Sequence, residues 1–374
     1  MNFHDYDYFL PEKNLALEPA VPRDSSKLFV YNTKNDLISF DSFYNLNKYL
    51  PNNSFMVLNN TRVLPARITM KKESRGKVVA LLLVNEIIRN NLPMIVDRKI
   101  KVGERIFFDD KNFLNVISQN KNIFEARFDF SKQKLFSLLE KYGTMPIPPY
   151  LKKSSLTRDE LFEKYQTIFA KTDGSAAAPT ASLHFTNRIF KDLNKKRIKQ
   201  LYVTLHVGMG TFAPITDENI KQKKLHEEYY EVDREKLQLI DQLKFRGKKL
   251  VAVGTTVVRT LESIVNNDSV RQFLSHENLS LPAKAGGPFS EVKKSFLPRQ
   301  TIINKTDLFI FPPYKFKMVD ILITNFHLPK SSLMMLVESF LQYKKAKRNL
   351  IDLYNIAIKN NFRFYSFGDA MLIL

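Results

Sequence analysis

Val319-Asp320-Ile321-Leu322-Ile323-Thr324-Asn325-Phe326 is apolar on both faces apart from Asp320, Thr324 and the closing Asn325. That is the pattern of a strand covered from both sides, in the middle of an α/β sheet. Asn325-Phe326-His327-Leu328-Pro329 ends it at the carboxyl end, where open sheets place their ligands. Further strands follow on either side. Leu250 to Val253 is short and apolar, and a helix from Thr256 follows it. Gln200 to Val207 puts Leu201, Val203, Leu205 and Val207 on one face, with Tyr202, Thr204 and His206 on the other. Helices are predicted over Thr157 to Ala170 behind a Thr cap, over Asn187 to Lys199 capped by Thr186, from Arg234 to a stop at Gly247, and after Ser331. A final strand pair is expected near Phe362 to Leu374.

Between about Ile68 and Met145 the pattern changes. Lys77 to Ile88, Leu92 to Val96, Glu104 to Phe108, Leu114 to Ile117 and Ile123 to Phe130 are short β-rich runs, separated by Asn, Asp, Gly and Lys turns. Met145-Pro146-Ile147-Pro148-Pro149-Tyr150 then has to be extended. The expected architecture is an α/β main domain with a mixed-sheet, barrel-like core, made of 1–67 and 146–374. It is interrupted at 68–145 by a small all-β, β-barrel-like domain.

Lys plus Arg number 58 against 38 Asp plus Glu, a net charge of +20. That charge suits a polyanionic partner, and it equally suits a soluble basic surface. There is no cysteine, which excludes disulfides, thiolate zinc sites and cysteine-bound iron–sulfur clusters. Six histidines without a ligand-type spacing give no case for a metal. The start, Met1-Asn2-Phe3-His4-Asp5-Tyr6-Asp7, is no secretory signal, and no uncharged apolar run reaches about 18 residues. A soluble cytoplasmic protein is expected.

Val253-Gly254-Thr255-Thr256-Val257-Val258-Arg259 joins a strand to a helix. Free N–H groups, two hydroxyls and a cation at a helix start suit a carboxylate or a phosphate. A plain threonine cap with an Arg259–Glu262 surface pair would read the same way. His206-Val207-Gly208-Met209-Gly210-Thr211 ends a strand in a glycine turn, which lets backbone approach a ligand or simply makes a bulge. His226 and Glu228 share a face if they lie on a strand. For His184 and the other histidines, a structural hydrogen bond is the plain alternative to chemistry.

These segments, in this order, resemble the QueA family of S-adenosylmethionine:tRNA ribosyltransferase-isomerases. The matches are Asp7 to Pro11, Arg23-Asp24-Ser25-Ser26, Asn59-Asn60-Thr61-Arg62-Val63-Leu64-Pro65-Ala66-Arg67, Met145 to Tyr150, Tyr165-Gln166-Thr167 and Ala177 to Thr186. They continue with Val203 to Phe212, His226-x-Glu228, Gly254 to Glu262, Thr324 to Ser331, and Tyr365 to Ala370. Pro313, Ser182 and Val79 depart from the family pattern, as does Phe340-Leu341-Gln342-Tyr343.

The resemblance implies transfer and isomerisation of the ribosyl part of S-adenosylmethionine onto 7-aminomethyl-7-deazaguanine at the tRNA wobble position. The products are epoxyqueuosine-tRNA, adenine and methionine, and no metal is required. On this reading His184, His206 and His327 move protons, and Asp369 and Glu228 orient a histidine or hold the amine. Thr255, Thr256 and Arg259 hold the methionine carboxylate or an RNA phosphate. Gly208, Gly210, Thr211 and Asn325 bind the rest of S-adenosylmethionine, and Arg23, Arg62 and Arg67 meet RNA. A monomer is expected. The alternatives are a tRNA-binding relative without full activity and an S-adenosylmethionine-dependent RNA methyltransferase.

Overall fold

The structure, a computed structural model, describes residues 3–208, 215–267 and 301–374. In chain order its strands are β1 (Lys27–Asn32), β2 (Leu37–Ser42), β3 (Ser54–Asn59), β4 (Thr61–Val63), β5 (Arg67–Lys72), β6 (Lys77–Leu82), β7 (Asn91–Val96), β8 (Arg105–Phe107) and β9 (Phe113–Asn120). They continue as β10 (Ile123–Arg127), β11 (Thr172–Ser175), β12 (Lys199–Leu205), β13 (Lys224–Asp233), β14 (Lys249–Val253), β15 (Thr301–Leu308), β16 (Ile321–Asn325) and β17 (Ala370–Ile373).

Nine of them make a mixed sheet in the order β15-β13-β12-β3-β14-β16-β17-β1-β2. At its centre β12, β3, β14 and β16 run parallel. All six residues of β3 and all five of β16 are buried. The continuous apolar runs are explained by this, since helices and loops cover both faces. The last strand, β17, lies between β16 and β1, antiparallel to the first and parallel to the second.

Six strands close into a barrel in the order β10-β7-β6-β5-β8-β9, with β9 pairing back onto β10. Period-two burial along β5, β7 and β10 sends Ile68, Met70, Leu92, Met94, Phe124 and Ala126 inward. The helix Lys132–Tyr142 adds Leu135, Leu138 and Leu139 to the same core.

Several elements are shorter than the sequence suggests, because side chains compete for the backbone. The helix predicted to Ala170 covers Arg158–Lys164, opened by a Thr157–Glu160 capping box. Beyond it, Gln166 turns back and bonds both the N–H and the carbonyl of Val63, at 3.1 and 2.6 Å. The helix predicted over Asn187 to Lys199 ends at Lys195. Thr186 does not cap it, since its hydroxyl donates to Asp24 at 2.6 Å. The C-terminal strand pair is one strand, β17; Phe364 makes a single bridge to Leu15, and the chain turns at Tyr365, whose φ is 73°. The helix from Arg234 stops before Gly247, at φ 73°, as expected.

Candidate active site

Because β12, β3, β14 and β16 are parallel, their carboxyl ends share one edge of the sheet, the usual place for a ligand in this topology. The antiparallel β13 and β17 bring Glu228 and the turn 365–369 to that edge from the opposite direction. A pocket open to solvent lies there. Thr255, Thr256, Arg259, Glu228, Asn325 and His327 line it, with Tyr150, Tyr165, Thr324, Tyr365 and Ser366.

The helix Thr255–Asn266 starts at this edge. Its N-cap is Gly254 at φ 89°, a conformation that L side chains rarely adopt, so Thr255 and Thr256 are the first two helical residues and not caps. Asn59 Nδ2 donates to Thr256 Oγ1 at 3.3 Å. Arg259 lies a turn further in and is buried. It forms an ion pair with Glu228 and donates through Nε to the Leu308 carbonyl at 3.1 Å. Glu228 also accepts the Gly208 N–H at 3.0 Å. The anticipated Arg259–Glu262 pair does not form; Glu262 instead accepts the backbone N–H groups of Lys317 and Met318. Nor do His226 and Glu228 share a face. The register of β13 shifts between Lys224 and Glu228, leaving His226 exposed and Glu228 buried.

His327 follows β16. The Tyr8 hydroxyl donates to its carbonyl at 2.5 Å, and its N–H donates to the Tyr354 hydroxyl at 2.9 Å. Thr324 Oγ1 holds ring atom Nε2 at 2.8 Å. Burial pushes this imidazole down to about 3, so it is neutral around pH 7.

His184 lies behind the pocket wall. Its Nδ1 meets Ser26 Oγ at 2.9 Å, and its Nε2 meets Asn325 Nδ2 at 3.3 Å. Asn325 Nδ2 also reaches the Tyr365 carbonyl at 3.3 Å, so that amide is held from two sides. Burial, helped by the charges of Arg363 and Arg23, lowers His184 to about 3. His206, just past β12, bonds Thr61 Oγ1 at 2.8 Å and lies 3.7 Å from Glu231. That contact with His206 holds the Glu231 carboxyl below its ordinary range. The ring packs on Gly174, where a Cβ would stand 2.9 Å from it.

The remaining candidates are dispersed. Asp369 accepts the N–H groups of Lys27 and Arg363, at 3.0 and 2.8 Å, which fastens β1 to the turn before β17. Arg23 donates to the carbonyls of Gln166 and Glu163, and Arg62 pairs with Asp173 at 3.0 Å and Glu140 at 3.5 Å. Arg67 faces a separate crevice beside Lys152 and Arg158, where the barrel meets the main sheet's connections. Gly210 and Thr211 lie outside the described residues. Sequence reasoning did not single out Thr61, Glu231, Tyr150 or Tyr365 as site residues. The signals for Tyr150 were the run of prolines that forces the chain to be extended just before it and its place in a segment that resembles the family.

Among the described residues, no group of three or more His, Cys, Asp or Glu side chains is placed to hold a metal, and no helix is long and apolar enough to cross a membrane.

Residues 3–373 match the protein family described as Queuosine biosynthesis protein. A Sulfurihydrogenibium protein named S-adenosylmethionine:tRNA ribosyltransferase-isomerase is 39% identical over the full length of both chains. One of the same name from Thermosipho melanesiensis is 40% identical, again over all of both. Among solved structures, the S-adenosylmethionine tRNA ribosyltransferase of Thermotoga maritima is similar at 30% identity and a TM-score of 0.51. The match covers 99% of this chain and 100% of that one.

Proposed function

Because the chain belongs to the queuosine biosynthesis protein family, we infer that its pocket carries out ribosyl transfer and isomerisation from S-adenosylmethionine to tRNA. The acceptor is the aminomethyl group of 7-aminomethyl-7-deazaguanine at the wobble position. The ribosyl group gains a bond to that nitrogen, while its bonds to adenine and to the methionine sulfur break.

The observation that carries this reading is the gathering of Thr255, Thr256, Glu228, Arg259, Asn325 and His327 around one pocket at the carboxyl edge of the sheet. The sulfonium makes the neighbouring 5′-carbon acidic, and a neutral imidazole with a fixed ring can take its proton. His327 fits that role. Its Nε2 is occupied by Thr324, and no described residue bonds its Nδ1, which leaves that nitrogen for the substrate. His184 acts one step removed, by holding the Asn325 amide. His206, held by Thr61 with Glu231 beside it, lies outside the pocket lining and supports the wall from the end of β12. Gly208 acts through Glu228, whose carboxylate it helps to fix, and Asp369 acts through the fold of the turn that carries Tyr365. Thr255 and Thr256 present N–H and O–H donors to the methionine carboxylate at the positive end of a helix. Arg259 is already neutralised by Glu228 and sets the shape and polarity of the wall.

For RNA, Arg67 is the candidate, in a crevice shared with Lys152 and Arg158, while Arg23 and Arg62 serve the fold first. The same proposal treats 68–145 as an inserted domain between 1–67 and 146–374, supported by its separate apolar core.

The test is His327→Gln assayed for adenine release with tRNA bearing the aminomethyl base, alongside S-adenosylmethionine affinity. Loss of a general base lowers turnover by about 10²- to 10⁴-fold with binding retained. Turnover at the wild-type rate would remove His327 from the chemistry. If S-adenosylhomocysteine appeared as product in place of adenine, the reaction would be methyl transfer.

A further inference from the structure

The pocket has a polar end and an aromatic end, and the mechanism above uses only the first. Tyr150 comes from the proline-rich stretch after the barrel, and Tyr365 from the turn before β17. Both line the pocket, both are only partly buried, and their ring centroids lie 4.9 Å apart at 51°.

Each ring is held in place by hydrogen bonds at its hydroxyl. The Tyr150 hydroxyl donates to Ser366 Oγ at 2.5 Å and accepts the Ser366 N–H at 2.9 Å. The Tyr365 hydroxyl shares a hydrogen bond with Tyr8. Tyr365 itself has a φ of 73°, an unfavourable region for a bulky side chain, and its backbone is pinned there. Its N–H donates to the Phe326 carbonyl at 3.1 Å, and its own carbonyl accepts from Gly368 N–H and Asn325 Nδ2. Non-glycine residues kept in such conformations cluster at ligand sites.

The spacing points to the occupant. The threonines at the start of the helix follow β14, and Tyr365 precedes β17, with β16 alone between those strands. Two strand spacings are roughly 10 Å. Asn325 and His327, at the end of β16, lie on the path. A ligand with an amino acid at one end, a charged sulfur and a sugar in the middle, and a flat base at the other fits that order of contacts.

We propose that Tyr150 and Tyr365 form a stacking shelf for a purine-type base, and that this base is the adenine of S-adenosylmethionine. The proposal rests on the ribosyl-transfer reading and adds the direction in which the donor lies. The methionine end is at Thr255 and Thr256, the 5′-carbon is near His327, and the adenine is on the tyrosines.

The experiment is calorimetric titration of S-adenosylmethionine into wild-type protein, Tyr150→Leu, Tyr150→Phe and Tyr365→Leu, with tRNA affinity measured separately. Loss of a base-stacking ring weakens binding by about ten- to a hundredfold. Tyr150→Leu and Tyr365→Leu are expected to lose S-adenosylmethionine affinity by that factor and keep tRNA affinity. Tyr150→Phe, which keeps the ring, recovers most of the loss. The chain has no tryptophan, so quenching of tyrosine emission on titration gives a second readout, and Tyr150→Leu should reduce it.

If tRNA affinity alone falls, the shelf serves the RNA's deazaguanine and the adenine assignment is overturned. Equal losses in Tyr150→Phe and Tyr150→Leu would make the hydroxyl a structural anchor and overturn stacking. Unchanged affinities in both leucine variants would overturn the shelf altogether, with the ribosyl-transfer reading untouched. If the wild-type protein binds no S-adenosylmethionine, that reading fails and takes the shelf with it.

Discussion

Between residues 68 and 145 no polar or charged residue is buried, whereas the carboxyl edge of the large sheet buries Asn59, Thr61, His184, His206, Glu228, Arg259, Asn325 and His327. In the barrel every edge is paired and every interior position is filled with hydrocarbon, so burial serves stability alone. At the sheet edge, groups that cost free energy to desolvate are kept out of water and tied to one another. The ties are specific, as with Thr324 on His327, Thr61 on His206 and Glu228 on Arg259. The difference separates a part of the molecule with a purely apolar interior from a part that keeps polar groups buried and tied to one another.

Four measurements would break or sharpen that contrast. Arg259→Ala removes the guanidinium paired with the buried Glu228 carboxylate, and a loss of about 3–5 kcal/mol is expected in denaturant unfolding. A loss below about 1 kcal/mol would mean that water already reaches the pair. Ile106→Ala in the barrel removes packed methylenes and is expected to cost about 2–5 kcal/mol. Here S-adenosylmethionine affinity should not change, and a drop in it would show that the two regions are coupled.

The third measurement is pH. His184 and His327 are held at about 3, against an ordinary 6.5 when unfolded. The unfolded chain therefore takes up their protons first as pH falls. Their contribution is fully present above about 6.5 and is lost progressively between 6.5 and 3, at up to about 1.4 kcal/mol per pH unit for each histidine. His184→Asn should lower that slope by one histidine's share, as read from urea midpoints across pH 4 to 7. An unchanged slope would contradict the neutral buried imidazole. The smallest effect is expected for Arg105→Ala, whose partner Glu73 is half exposed. About 0–1 kcal/mol is the usual range for such surface pairs, and a larger value would mean that the barrel surface contributes to its core.

Parts of this contrast were legible in the sequence. The central position of β16 followed from an apolar run without alternation, and the barrel from the short alternating runs between turns. The strand-to-helix junction at Gly254 was legible, although the cap turned out to be the glycine and not a threonine. Partnerships across the fold were not legible. Thr61 and His206 are 145 positions apart, and Ser26 and His184 are 158 apart; no local pattern encodes such distances. Arg259 read either as a cation for an anionic ligand or as a surface partner of Glu262; its pairing with Glu228 depends on the register shift in β13, which periodicity cannot reveal. Tyr150 read only as the end of an extended proline-rich stretch and Tyr365 as the start of a family-like segment, and their common site depends on the turn at Tyr365.

The placement of β17 has a consequence for the order in which the molecule can be built. The N-terminal hairpin of β1 and β2 joins the rest of the sheet only through β17, and the Lys27 N–H finds its acceptor on Asp369, 342 positions later. A nascent chain on the ribosome can close the barrel early, since all six barrel strands come from one continuous stretch. The pocket's framework, in contrast, waits until residues 365–373 have left the exit tunnel. Until then β1 and β16 both carry an unpaired flank, and the edge that carries the pocket is not complete before β17 has been added.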